Sequence, residues 1–199
     1  MRLAKIVLLV GVLIALRTPP AAAQVSFDTA SLSATDAGFL AGSSVATTGT
    51  AWTLSLPGFF VPAFETGTIE ILLPITTDAP YALAGISYGY AGAFAGDGFA
   101  TALTSLADAA GPGIAMDTVI WPPPAGDAGG LLVLPGAASS AFLFASITLD
   151  GGSGSAALGT LRFTAAAVAV PEPSTLLLIA APAAMALLAR RRSGEKPDA

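Results

Sequence analysis

The chain has 199 residues, and 54% are apolar while only 11% are charged. That length allows one domain plus targeting segments, and no apolar run is long enough for a protein that crosses a membrane repeatedly. Cysteine and histidine are both absent, which excludes a disulfide framework and removes the commonest metal ligand and general base.

The charges are unevenly placed. Arg2, Lys5 and Arg17 lie near the N-terminus, and Arg190, Arg191, Arg192 and Lys196 near the C-terminus. Between Gln24 and Val170 the only cation is Arg162, set against ten acids, for a formal −9. A surface this acidic lacks the basic stripe that phosphate neutralisation requires, so nucleic acid is excluded as a partner.

Residues 1–23 read as a secretory signal peptide. Arg2 and Lys5 form its positive region, Ile6–Leu16 its apolar core, and Ala21-Ala22-Ala23 a small-residue site for signal peptidase between Ala23 and Gln24. Arg17-Thr18-Pro19-Pro20 interrupts the apolar run before it could span a bilayer.

From Gln24 the pattern changes to short segments divided by Gly, Pro, Ser, Asp and Thr. Val25–Asp28, Ala51–Leu56 and Thr68–Leu73 alternate apolar with polar residues, the period that gives a strand one core face and one wet face. Pro74 suggests a strand end or a sheet edge there. Tyr81–Tyr90 is a further strand, with Tyr88 and Tyr90 on one face. Phe99, Leu103 and Leu106 stand at i, i+4 and i+7, so Phe99–Ala110 is expected to be a short helix stopped by Gly111-Pro112-Gly113. Asp117–Trp121 should be extended, and Pro122-Pro123-Pro124 stiff polyproline. Leu131–Leu134, Ala141–Leu149 and Leu158–Ala165 complete the strands. Asp150–Gly154 is read as the turn of a hairpin joining the last two.

Several short strands and one helix predict an all-β antiparallel β-sandwich of the jelly-roll kind over residues 24–168. A β-barrel or a β-helix is the alternative. With neither Cys nor His, an enzyme would have to work with carboxylates. Glu65 and Glu70 could serve as a glycosidase pair, but a spacing of five puts them on opposite faces of a continuous strand. Asp97 in Gly96-Asp97-Gly98, and Asp150 before Gly151-Gly152-Ser153-Gly154, have the flavour of calcium loops. Each offers one carboxylate and matches no EF-hand, and turn chemistry explains both. No catalytic residue, metal site or cofactor is expected. Trp52, Trp121, Tyr88 and Tyr90 could stack on sugar rings, with Trp121 the exposed candidate for glycan contact.

Beyond Val170 the composition shifts again. Pro171 and Pro173 hold the backbone extended and remove two donors. Ser174–Ala189 is a run of sixteen uncharged residues, about 24 Å long as a helix, against a hydrocarbon core of about 30 Å. Arg190, Arg191 and Arg192 would hold its far end in the cytoplasm, ahead of the tail 193–199. A transmembrane helix at 174–189, short and broken by Pro182, suits transient residence in the inner membrane.

Val170-Pro171-Glu172-Pro173-Ser174, the apolar run and the arginine cluster together resemble the PEP-CTERM sorting signal over residues 169–192. The resemblance implies that an exosortase acts near Pro171-Glu172-Pro173 and that the domain reaches the cell surface or the extracellular matrix. It also implies association with exopolysaccharide and biofilm. Outward domains with this signal often look like cohesins, and Gly154–Ala165 is similar to the final strand of such a domain. The expected protein is therefore non-enzymatic. A polysaccharide-binding module is the alternative, and a carboxylate hydrolase a third reading.

Overall fold

A computed structural model describes residues 25–111, 113–121 and 127–170. The signal peptide with its Ala23–Gln24 junction, the triple proline, the span 174–189 and the arginine cluster lie outside the described residues. Among those described, no helix is long and apolar enough to cross a membrane.

Twelve strands follow in order: β1 (Val25–Phe27), β2 (Ser31–Ala34), β3 (Ser44–Thr48), β4 (Ala51–Ser55), β5 (Phe60–Val61) and β6 (Thr66–Thr77). Then come β7 (Tyr81–Ala95), β8 (Phe99–Asp108), β9 (Ile114–Trp121), β10 (Asp127–Ala138), β11 (Ser140–Asp150) and β12 (Ser155–Ala169). They form two antiparallel sheets. The first runs β1-β6-β11-β8-β9, with β2 also beside β6. The second runs β10-β7-β12-β4-β3, with β5 beside β12. The described residues form an all-β sandwich, as the alternating segments predict.

The core lies between the sheets and follows the period of two. Ile69, Ile71, Leu73 and Ile75 of β6 face inward, opposed by Ile86, Tyr88 and Tyr90 of β7, and all of them are buried. At the centre of the second sheet, Phe163 of β12 stacks on Trp52 of β4 at 5.7 Å and meets Tyr90 edge-on at 6.3 Å. Burying these large rings supplies much of the apolar area that a domain without disulfides depends on.

Three expectations are corrected. Phe99–Ala110 is not a helix, because Phe99–Asp108 is strand β8, paired on one side with β11 and on the other with β9. Its inward positions are Ala100, Ala102, Thr104 and Leu106, all at 0% exposure. Their alternation is masked in the sequence by small side chains, and Leu106 lies on the opposite face from Phe99 and Leu103. Tertiary pairing overrides a weak local preference. The helical content of the described residues is a 3-10 turn at Ala37–Leu40, capped by Asp36, whose carboxylate accepts from the Gly38 N–H at 2.7 Å.

Pro74 does not end its strand. β6 runs through it, with Pro74 opposite Phe142 of β11. Its carbonyl accepts from the Asp28 N–H at 3.0 Å. A strand residue's N–H and C=O point to the same side, so the missing donor faces Asp28, in the break between β1 and β2 where the pairing is already interrupted.

The Asp150–Gly154 turn does not close a hairpin. β11 sits in the first sheet between β6 and β8, and β12 in the second between β7 and β4. The turn is a crossing between layers.

Candidate functional site

Three connections converge at one pole of the sandwich: the 62–65 corner before β6, the β7–β8 turn at 96–98, and the β11–β12 crossing at 151–154. Gly96 and Gly152 sit at φ +63° and +51°, values that glycine adopts without steric cost. The Phe64 N–H donates to the Gly152 carbonyl at 2.7 Å, and the Gly151 N–H to the Glu65 carbonyl at 3.0 Å. The corner is thereby stitched to the crossing.

The two acids with the flavour of calcium ligands meet here. Asp97 accepts from the Ser153 hydroxyl at 2.6 Å and also from the Ser153 N–H. Those bonds, the hydroxyl's first, hold its carboxyl below the usual carboxylate range. Asp150 accepts from the Gly152 N–H at 2.8 Å. Both carboxylates serve the turn, and among the described residues no group of three or more acids could hold a metal ion.

Phe64 is the residue that sequence reasoning missed. Its φ of +63° is the one positive value at a non-glycine residue among those described, and its ring is 86% exposed. Such a backbone costs about 1–3 kcal/mol and persists because its surroundings fix it. Here the two bonds to residues 151 and 152 do so. Phe60 of β5, paired with Ala157, adds a second ring at 51% exposure on the outer face of the second sheet. A single phenylalanine in Pro62-Ala63-Phe64-Glu65 carries no periodic signal, and only its position beside a proline in a connection marks it.

The aromatics read as sugar-stacking candidates are in the interior. Trp121 is 3% exposed, stacked on Tyr90 at 5.7 Å and set edge-on to Phe94 at 6.0 Å. It occupies the last inward position of β9, so the exposed glycan platform expected there is not found. Its indole N–H is buried with no hydrogen-bond partner among the described residues. Trp52 is buried at 2%. Tyr88 donates to the Asp117 carboxylate at 2.5 Å, and the Tyr90 hydroxyl pairs with that of the buried Thr104. Burial, followed for Tyr88 by the Asp117 bond, raises both phenols well above the ordinary tyrosine range. These groups form a satisfied polar seam inside the sandwich.

Among the described residues no hydrogen bond joins Glu65 and Glu70: Glu65 lies in the corner before β6, where its carbonyl accepts from the Gly151 N–H, and Glu70 lies within β6. Glu70 instead accepts from the Ser33 hydroxyl at 3.2 Å on the outer face of the first sheet.

Both ends of the described domain lie at the pole opposite Phe64. Val25 pairs with Thr77 at the far end of β6, and the Val170 N–H donates to the Pro80 carbonyl at 2.7 Å. Of the sorting residues, Val170 is described and half-exposed, while Pro171, Glu172, Pro173 and Ser174 lie beyond the described residues.

The fold and its exit define a β-sandwich domain followed directly by a C-terminal segment of separate character. The family model of the PEP-CTERM protein-sorting motif matches residues 169–192, so the chain carries that motif immediately after its last described strand. The motif implies an exported protein, sorted at the membrane by an exosortase to a surface location.

No curated protein matches the chain significantly. Among solved structures, TmCBM61 in complex with β-1,4-galactotriose matches with 9% identity, 72% of this chain and 88% of that one covered, and a TM-score of 0.36. The carbohydrate-binding module CBM6cm-2 of Cellvibrio mixtus lichenase 5A, with cellotriose, matches at 17% identity, 62% and 87% coverage and a TM-score of 0.28. A family 11 carbohydrate-binding module from Clostridium thermocellum gives 8%, 75%, 92% and 0.28. At TM-scores this low, the matches define neither a shared family nor a shared site.

Proposed function

We propose that this is an exported, non-enzymatic protein of the cell surface or extracellular matrix, delivered by signal peptidase and exosortase in turn and associated with exopolysaccharide. The observation that carries the proposal is the junction at Ala169, where β12 ends and the sorting motif begins. A processing enzyme needs backbone outside any ladder, and proline residues such as Pro171 and Pro173 have no N–H to donate to one. Because Val25 and Val170 leave from one pole, an anchor at 174–189 would hold the Phe64 pole away from the membrane. Replacing Glu172 with alanine is expected to leave an unprocessed precursor in the inner membrane, read as intact mass in the membrane fraction. Processing identical to wild type overturns the sorting proposal.

Polysaccharide binding is a second reading, favoured by one observation, the exposed Phe64 held on a strained backbone at the pole that also carries Asp97 and Asp150. An aromatic face can cover the apolar face of a sugar ring while carboxylates accept from its hydroxyls. Titration calorimetry with the exopolysaccharide of the producing cells should show binding that Phe64→Ala weakens about tenfold, or about 1.4 kcal/mol. Equal binding by the variant, or none by wild type, rejects this reading.

A further inference from the structure

On the outer face of the first sheet, two rows that run in register across four strands are apolar except for Ser105. Leu72 of β6 lies beside Phe144 of β11, which lies beside Ser105 of β8 and then Met116 of β9. The next row is Pro74, Phe142, Ala107 and Ile114. Leu72 and Phe142 are 43% and 44% exposed, and Ile114 and Met116 are 61% and 63% exposed. Two further rows toward the Phe64 pole hold Glu70, Ser146, Leu103 and Thr118, then Thr68, Thr148, Thr101 and Ile120. Glu70 is the one charged residue in all four rows.

We infer that this face is a self-association surface and that its occupant is a second copy of this chain, packed first sheet against first sheet. Charge selects the occupant. Between Gln24 and Val170 the chain carries ten acids and one cation, so copies meeting through most other surfaces bring like charges together. Here they meet across apolar rows. An anionic lipid surface would repel the same domain, and a sugar would find few hydrogen-bond partners along the two outermost rows. One face is sufficient, because a two-fold pair uses the same patch on both copies.

Four strands about 4.8 Å apart and four alternate positions about 6.8 Å apart give a patch of roughly 500 Å². About half of that footprint, the two outermost rows, is apolar apart from Ser105. Two copies would bury about 1,000 Å², the lower bound of a specific interface, which makes the dimer weak and concentration-dependent.

The absence of cysteine makes the test clean. Leu72→Cys, Phe142→Cys and Met116→Cys each give the full chain a single thiol. Oxidative crosslinking is expected to yield disulfide dimers at one or more of these positions. Leu131→Cys and Val133→Cys, on the outer face of the second sheet, should yield none. Light scattering of the wild-type full chain should show dimer growing with concentration, and Phe142→Asp should weaken it at least about tenfold. Phe142→Thr, which keeps a strand-forming residue, serves if the aspartate variant does not fold.

Four outcomes overturn the inference. One is wild-type protein that stays monomeric at every concentration, and another is crosslinking at 131 or 133 but not at the first-sheet positions. A third is an unchanged dimer in both Phe142 variants, since these keep the apolar C-terminal segment and association would then run through it. The fourth is flotation of the monomer with phosphatidylcholine vesicles, in place of dimerisation, that Phe142→Asp abolishes although it keeps the apolar C-terminal segment.

Discussion

Phe163→Ala is expected to lower the free energy of unfolding by about 3–5 kcal/mol, the range for removing a fully buried aromatic side chain. Phe163 is 0% exposed, stacks on Trp52 and abuts Tyr90. It lies on β12, which is flanked by β7 and β4. Neighbours on three sides belong to paired strands and cannot collapse into the space, so the full cavity cost applies. A domain of this kind holds about 5–15 kcal/mol in total, and without disulfides nothing covalent compensates. Urea unfolding should show a lower midpoint with an unchanged slope. A loss below about 1 kcal/mol would mean that the ring cluster is not the keystone of the second sheet.

Gly151→Ala should be nearly as costly, for a different reason. A Cβ at Gly151 would stand 1.9 Å from the Pro62 carbonyl oxygen and 2.7 Å from its carbon. Those are backbone atoms with no side-chain freedom to yield. The 62–65 corner must move off the crossing, breaking the bonds from Phe64 to Gly152 and from Gly151 to Glu65, at about 2–4 kcal/mol. Amide exchange at Phe64 and Gly151 should accelerate together. Gly136 is the control, since a Cβ there meets nothing within 4 Å. Gly136→Ala should be neutral or slightly stabilising through the unfolded chain. If Gly151→Ala behaves like Gly136→Ala, the stitched pole is not rigid.

The strands legible in the sequence were those with bulky inward residues. Ile69, Ile71 and Leu73 mark β6 without ambiguity, and Trp52 and Leu54 mark β4. β8 is illegible because Ala100 and Ala102 fill the inner face with methyl groups too small to mark an alternation in an alanine-rich segment, while Phe99 and Leu103 imitate a helix from the outer face. β2 and β3 are short Ser-, Thr- and Ala-rich segments with no pattern of their own, fixed by β6 and β4 alongside them. Partner choice was hidden as well. The turn chemistry at Asp150–Gly154 is that of a reversal, and nothing local says whether the chain reverses within a layer or between layers.

At the site, the sorting motif was readable because a tripeptide, an apolar run and arginines act as linear sequence. The exposed pole was not, because Phe64 acquires its strain and exposure from contacts with residues nearly ninety positions away. Trp121 shows the reverse case. Its place before three prolines suggests a surface, and alternation does not correct this, because the outward positions of β9 carry Ile114, Met116 and Ile120 while the inward ones include Ala115 and Asp117.

The position of β12 has a consequence for the order of events. It is the last described strand, yet it is the centre of the second sheet, with β7 on one side and β4 on the other. A chain delivered from its N-terminus across a membrane can assemble β6, β8 and β11 of the first sheet while still emerging. The second sheet has no middle until Ala169 is through. Under the export proposed above, its central pairings can close only after β12 has emerged, just ahead of the sorting motif. Completion of the fold and presentation of the motif are thereby tied to the same few residues.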